Sequence, residues 1–149
     1  MRSFDFPLQK VLDWRRTQLD LSEAHFRQAA AALAELDRAR NEIEAAENSA
    51  DAEVRRWGAV VGSDLAALDQ FRRHAHARKE LLAARRASSA RELATREAAM
   101  LEARRRCRLL ERLKERRWSE WKLARDKELE EVAAESWLAQ WGTARARRL

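Results

Sequence analysis

The sequence predicts an all-α protein: a long antiparallel two-helix coiled coil, or helical hairpin, whose second helix is longer than its first. The first observation is composition. The 149 residues include 3 glycines and 1 proline, 38% are charged, and much of the 46% hydrophobic share is alanine. This mix is typical of long helices and coiled coils. The second observation is that two of the three glycines, Gly58 and Gly62, lie together and mark one internal turn.

The same composition argues against several other classes of protein. The single cysteine excludes an intrachain disulfide framework. No uncharged apolar run approaches the roughly 20 residues that a membrane span requires. The first ten residues include Asp5 and lack the apolar stretch of a signal peptide, so we expect a cytoplasmic protein.

The first helix is predicted over about residues 8–57, with Pro7 in its first turn. A heptad pattern supports a coiled-coil seam, which we define as the row of a and d positions. Arg40 and Glu47 interrupt it, and we expect them to weaken pairing locally or to offset one another through partner charges. The apolar a and d positions are Leu8, Leu12, Leu19, Phe26, Ala29, Leu33, Leu36, Ile43, Ala50, Val54 and Trp57.

A short loop is predicted over about residues 58–63, followed by a helix over about 64–141 and a basic tail over 142–149. Gly58 fits the left-handed residue that often ends a helix. Ser63 or Asp64 would supply the oxygen that caps the next helix. A loop this short makes the two helices antiparallel neighbours within one hairpin of 149 residues.

The second helix carries a less regular apolar stripe. Its first part follows a seam, made of Leu65, Leu68, Ala75, Leu82, Leu93, Met100, Cys107 and Leu110. Beyond it, apolar residues recur every 11 positions, from Cys107 to Trp118 and Leu129, and from Leu110 to Trp121 and Val132. An 11-residue period drives little left-handed supercoiling.

The unequal helix lengths predict an overhang. Folding back from the loop places Leu8 opposite a residue near Arg112, so the residues after Arg112 would lack a partner helix. A single helix with an apolar stripe is a candidate binding surface, because tryptophan is enriched at interface hot spots. Self-association through this stripe, or fraying of the helix end, are the alternatives. The predicted contact residues are Trp118, Trp121, Leu129, Val132, Trp137 and Trp141.

A second candidate surface lies at the loop end, formed by Trp57, Phe71 and Leu82. Phe71 does not follow the stripe of Leu65 and Leu68, so it is either exposed or packed beside the edge of the coiled coil.

Basic residues concentrate in the second helix. Residues 1–56 hold 9 basic and 11 acidic side chains, whereas residues 57–149 hold 22 basic and 14 acidic. We interpret the basic surface as a solvated helix face with local ion pairs, such as Glu111 with Arg108 or Lys114, that also attracts an acidic protein partner. A basic nucleic-acid binder is the rival interpretation, but no recognised reader motif supports it.

No catalytic, cofactor or metal site is expected. His74 and His76 are two residues apart and diverge on a helix, and there is no metal-binding or phosphate-binding motif. Cys107 fits a small buried residue better than a nucleophile. The sequence therefore predicts a protein that is not an enzyme.

Three stretches resemble one known family. The opening Phe4-Asp-Phe-Pro-Leu8-Gln-Lys-Val-Leu12-Asp-Trp-Arg15 resembles the F-x-F-x-L-x-x-[VL]-L-x-x-R start of the FliJ family of flagellar export proteins. Leu109-Leu-Glu111-Arg-Leu113-Lys-Glu-Arg116-Arg is similar to its lEkLkerr segment. The run from Lys127 to Ala133 is similar to its E-x-k-x-L-D-E-x-A ending, with Glu130 in place of the usual aspartate. A tryptophan-rich end replaces the tyrosines that are commoner in the family.

The resemblance implies a non-enzymatic part of the flagellar type III protein export apparatus, similar to the central stalk of rotary ATPases. It implies binding to the hexameric export ATPase, to the export-gate membrane protein and to chaperones of late substrates. The location implied is cytoplasmic, with peripheral association at the inner membrane. The corresponding stalk of a virulence type III secretion system and a generic self-associating adaptor are the alternatives.

Overall fold

The computed structural model describes residues 3–147. It contains two helices, α1 over Gln9–Arg56 and α2 over Gly62–Ala146, and no strand among the described residues. The predicted fold class is confirmed: the protein is an all-α helical hairpin whose second helix is the longer one. Within the described part of the chain, neither helix has a segment long and apolar enough to cross a bilayer.

Backbone carbonyl groups before each helix accept hydrogen bonds from amides in its first turn. The Phe6 carbonyl accepts a hydrogen bond from the Gln9 amide at 3.0 Å, across a turn that contains Pro7. In α2, the Val61 carbonyl accepts from the amides of Asp64 and Leu65 at 3.0 and 3.2 Å. Asp64 lies in the first turn of α2, where its negative charge interacts favourably with the helix dipole.

Three details of the predicted turn and tail differ from the structure. Gly58 does not have a positive φ, so a left-handed glycine does not end α1. Because α2 begins at Gly62, Ser63 and Asp64 lie inside its first turn and do not cap it. The helix also continues through Gly142 to Ala146, since one glycine costs only about 1 kcal/mol within a long helix. Residues 148 and 149 of the predicted tail lie outside the described residues.

The contacts of the chain fall into two compact units, and the first to be described comprises residues 18–103. Its buried side chains are few and small or flexible, because each helix can cover only one stripe of the other. They are Ala29, Ala75, Leu82 and Met100. Leu19, Phe26, Leu33, Leu36 and Ile43 are half-buried, as a seam predicts. Trp57 and Leu65 are the exceptions, since 41% and 52% of them are exposed.

Charged residues complete the seam of this unit where apolar ones are missing. Lys79 and Glu47 form a half-buried ion pair between α2 and α1, with 2.6 Å between Nζ and Oε2. Two more exposed pairs also link the helices, Arg86 with Asp37 and Arg72 with Asp51. Each aspartate raises the pKa of its arginine through a hydrogen bond and charge attraction.

These pairs resolve the two predicted interruptions of the α1 seam. Glu47 pairs with Lys79 of the other helix, so the two interrupting residues do not offset one another. Arg40 instead pairs within α1 with Glu44, at 3.2 Å, and remains exposed.

The second unit comprises the N-terminal residues up to Thr17 and the part of α2 from Arg104 onward. Leu12 is fully buried, and Phe6 and Cys107 are 5% and 3% exposed. Leu110 and Leu113 are half-buried beside them. The predicted seam positions Leu12 and Cys107 therefore form the core of this unit, whereas Leu8 is 38% exposed.

Candidate functional site

The N-terminal segment packs against α2 in the region predicted to lack a partner. The Phe4 and Trp121 rings lie 5.9 Å apart in a tilted arrangement. An open groove runs between the segment and the helix, and it is lined by Phe4, Phe6, Leu8, Leu113, Trp121 and Ala124 among others.

This packing corrects the predicted start of the overhang at Arg112. Arg16 of α1 lies opposite Glu111 at 3.4 Å, so Leu8, about two turns earlier, lies well beyond Arg112. The residues before α1 extend the contact further, as far as Trp121. Trp121 is consequently half-buried and is already in contact within its own unit.

The helix is free of tertiary cover farther along the chain. Every described residue from 127 to 147 is exposed, and we call this segment the C-terminal extension. Its exposed fractions are 46% for Leu129, 62% for Val132, 60% for Trp137 and 58% for Trp141. Large apolar side chains at this exposure are unusual along one helix, so the extension is the strongest candidate for a binding surface.

The predicted contact residues do not share one face of α2. Successive residues are about 100° apart on a helix, so Trp118 and Leu129 lie about 20° apart, as do Trp121 and Val132. We call these four residues the Trp118 face. By the same geometry Trp141 lies about 180° from Val132. Trp137, Leu138 and Trp141 therefore form a separate surface, the Trp141 face.

Each face has internal contacts that order its aromatic side chains. On the Trp118 face, the Lys122 ammonium lies 5.4 Å from the Trp118 ring and the Arg125 guanidinium 5.1 Å from the Trp121 ring. On the other face, the Trp137 and Trp141 rings stack with centroids 6.0 Å apart. The rings of Trp118, Trp137 and Trp141 still expose large areas and can bind a partner at little cost in side-chain entropy.

The loop-end candidates separate into two groups. Trp57 and Phe71 are 41% and 39% exposed, so both are available for contact. For Phe71 this supports the exposed alternative. Leu82 is 8% exposed, which corrects its assignment as a contact residue, because the second-helix seam holds it against α1. It only borders a shallow surface depression with Leu81.

Cys107 lies in the core next to the ion pair of Arg16 and Glu111. Burial is the main cause that raises the pKa of its thiol, and the Glu111 carboxylate raises it further. A thiol in this state is a poor nucleophile. Glu111 pairs across the hairpin with Arg16 and not with Arg108 or Lys114 as expected.

Two features of the site escaped the sequence analysis. The N-terminal contact could have been found from the alternation of Phe4, Phe6 and Leu8, because a period of two puts side chains on one side of an extended segment. The cross-helix ion pairs could have been found from the spacing of Arg72, Lys79 and Arg86. They recur every seven residues in register with Leu93, Met100 and Cys107.

The described residues contain no group of three or more histidine, cysteine or acidic side chains that could hold a metal ion.

Comparisons with known proteins add no identification. No protein-family model, no curated protein and no solved structure matches the chain.

Proposed function

We propose that this protein is a non-enzymatic, stalk-like component of the flagellar type III protein export apparatus, and that it binds the export ATPase ring through the Trp118 face. The observation that carries the proposal is the C-terminal extension, a helix whose described residues are all exposed and which presents Leu129 and Val132 to solvent. The resemblance of the three quoted stretches supplies the identity of the partner.

The rest of the molecule suits this role. The net charge of +6 favours association with acidic loops of a ring. Trp57 and Phe71 at the loop end offer a separate contact, which we assign to the export gate. Coupling the ring to the gate would then run along the hairpin, with the protein located in the cytoplasm and peripherally at the inner membrane. Chaperones of late export substrates are further proposed partners.

Substitutions on the Trp118 face test this proposal. The double variant Leu129→Ser, Val132→Ser removes two apolar side chains that are 46% and 62% exposed. We expect co-purification with the export ATPase to fall at least tenfold, because two hot-spot contacts are worth about 1.4 kcal/mol or more together. Circular dichroism should show nearly unchanged helicity.

The matched control is Trp137→Ser, Trp141→Ser, which removes two exposed apolar side chains from the other face. This variant should retain ATPase binding and any stimulation of ATP hydrolysis. Equal binding by the Leu129→Ser, Val132→Ser variant and the unaltered chain would refute the assignment of the Trp118 face. A chain that neither binds nor stimulates the ATPase would favour the alternative of a generic structural coiled coil.

A further inference from the structure

A partner that binds the Trp118 face would not cover the Trp141 face, since the two lie on different sides of α2. Trp137, Leu138 and Trp141 are each 58–61% exposed, and no tertiary contact covers them. With Trp137 and Trp141 as core positions, Ala134 and Ala144 complete an a and d pattern along the extension.

Charge is distributed along the extension in two opposite blocks. Residues 127–135 contain four acidic side chains and one lysine, whereas residues 136–147 contain two arginines and no acid. An antiparallel arrangement of two such segments brings the acidic block of each beside the basic block of the other. A parallel arrangement brings like charges together, which is unfavourable.

We propose that the Trp141 face binds a second copy of this chain, so that two C-terminal extensions pair antiparallel about a two-fold axis near Ala139. In this register Trp137 of each copy packs against Trp141 of the other, and Ala134 packs against Ala144. The contact is self-complementary, as a two-fold interface requires.

The register makes a specific prediction for the flanking charges. Glu131, Leu138 and Arg145 occupy equivalent positions one heptad apart, on the same edge of the face. Antiparallel pairing places Glu131 of one copy beside Arg145 of the second, twice by symmetry, with the two Leu138 side chains between these ion pairs. Glu131 and Arg145 are both exposed and therefore accessible for this contact.

An anionic membrane is a less suitable occupant of this face. Its Trp and Arg content suits a lipid surface. However, the acidic residues immediately before it would be repelled by anionic headgroups, whereas the self-pairing geometry uses one of them, Glu131, in an ion pair. Vesicle binding is therefore an outcome that the experiment must separate.

Sedimentation velocity of the full chain tests the proposal without the ATPase, at a concentration where a complex of micromolar affinity is fully formed. We expect a dimer. Three variants should each sediment as monomers. They are the double variant Trp137→Ser, Trp141→Ser, the single variant Glu131→Arg and the single variant Arg145→Glu. An equimolar mixture of the two single-charge variants should dimerise again, because each copy then supplies the charge that the other lacks.

Glu128→Arg is the matched control, since it makes the same charge change about 160° away from the midpoint between Trp137 and Trp141 on the helix. It should remain dimeric. A wild-type monomer, or a dimer that none of the three variants weakens, would overturn the proposal. So would failure of the mixture to dimerise, or monomers that bind vesicles of phosphatidylglycerol through Trp137 and Trp141. Loss of ATPase binding by the Trp118 face would leave these results unchanged.

Discussion

Leu12 is the one described residue whose large side chain is fully removed from solvent. In a hairpin each helix has only one neighbour, so most seam residues keep part of their surface exposed. The buried leucine therefore accounts for an unusually large share of the apolar area that stabilises its unit. Cys107, at 3% exposure, belongs to the core of the same unit.

Truncating this leucine should destabilise the protein measurably. We expect Leu12→Ala to lower the free energy of unfolding by about 2–3 kcal/mol, from lost burial and a residual cavity. Leu21→Ala is the matched control on the same helix, because Leu21 is 49% exposed, and it should cost about 0.5 kcal/mol. Urea unfolding followed by circular dichroism measures both. Equal costs would show that Leu12 does not pack as described.

The buried thiol makes a prediction about reactivity. Burial and Glu111 raise the pKa of Cys107 above the ordinary value of a thiol, so less thiolate is present at any pH below it. Alkylation by iodoacetamide near pH 8 should be slow in the native protein and become fast in urea. The rate should still be rising at a pH where the unfolded chain has levelled off. Equally fast alkylation of the native and unfolded chains would contradict the buried position.

At the scale of the elements, α1 and α2 are held together by a mixed seam. Small apolar residues such as Ala29 and Ala75 allow close packing but remove little surface from water. Cross-helix ion pairs fill the remaining positions in residues 18–103. Exposed pairs contribute little, so the half-buried pair of Lys79 and Glu47 is the one expected to matter for helix pairing.

A double-mutant cycle on Lys79→Ala and Glu47→Ala should give a coupling energy of about 0.5–1 kcal/mol in urea unfolding. The pair of Arg38 and Glu35 within α1 is the control, since both side chains are about two-thirds exposed. Its cycle should give no more than about 0.3 kcal/mol. Should the exposed pair couple as strongly as the half-buried one, cross-helix charge pairing is not what completes the seam.

At the scale of the whole molecule, stability is distributed unevenly along α2. Buried residues occur at intervals from Ala75 to Cys107, but every described residue from 127 to 147 is exposed. Local opening free energies follow tertiary cover, because a helix without it is held mainly by its own backbone hydrogen bonds. Leu129, Val132 and the Trp141 face thus lie where the helix is most easily deformed.

Hydrogen exchange measured by mass spectrometry should reveal this gradient. In the variant Trp137→Ser, Trp141→Ser, which removes the proposed self-pairing, amides of the C-terminal extension should exchange orders of magnitude faster than those near Leu12 and Cys107. Addition of the export ATPase should slow exchange around Leu129 and Val132 if the proposed function is correct. Uniform protection along α2 in this monomeric variant would contradict the exposed position of the extension.

Composition is enough to predict the helical hairpin, because scarce glycine and proline leave only one internal place to turn. The heptad spacing of apolar residues also predicts Leu12, Ala29, Met100 and Cys107 as core positions. Which apolar residues remain exposed depends instead on how the chain packs. Trp121 is covered by Phe4, and Leu82 is held in the seam. Spacing along the chain determines which face of a helix a residue occupies. Whether that residue is buried depends on where the opposite helix and the N-terminal segment end.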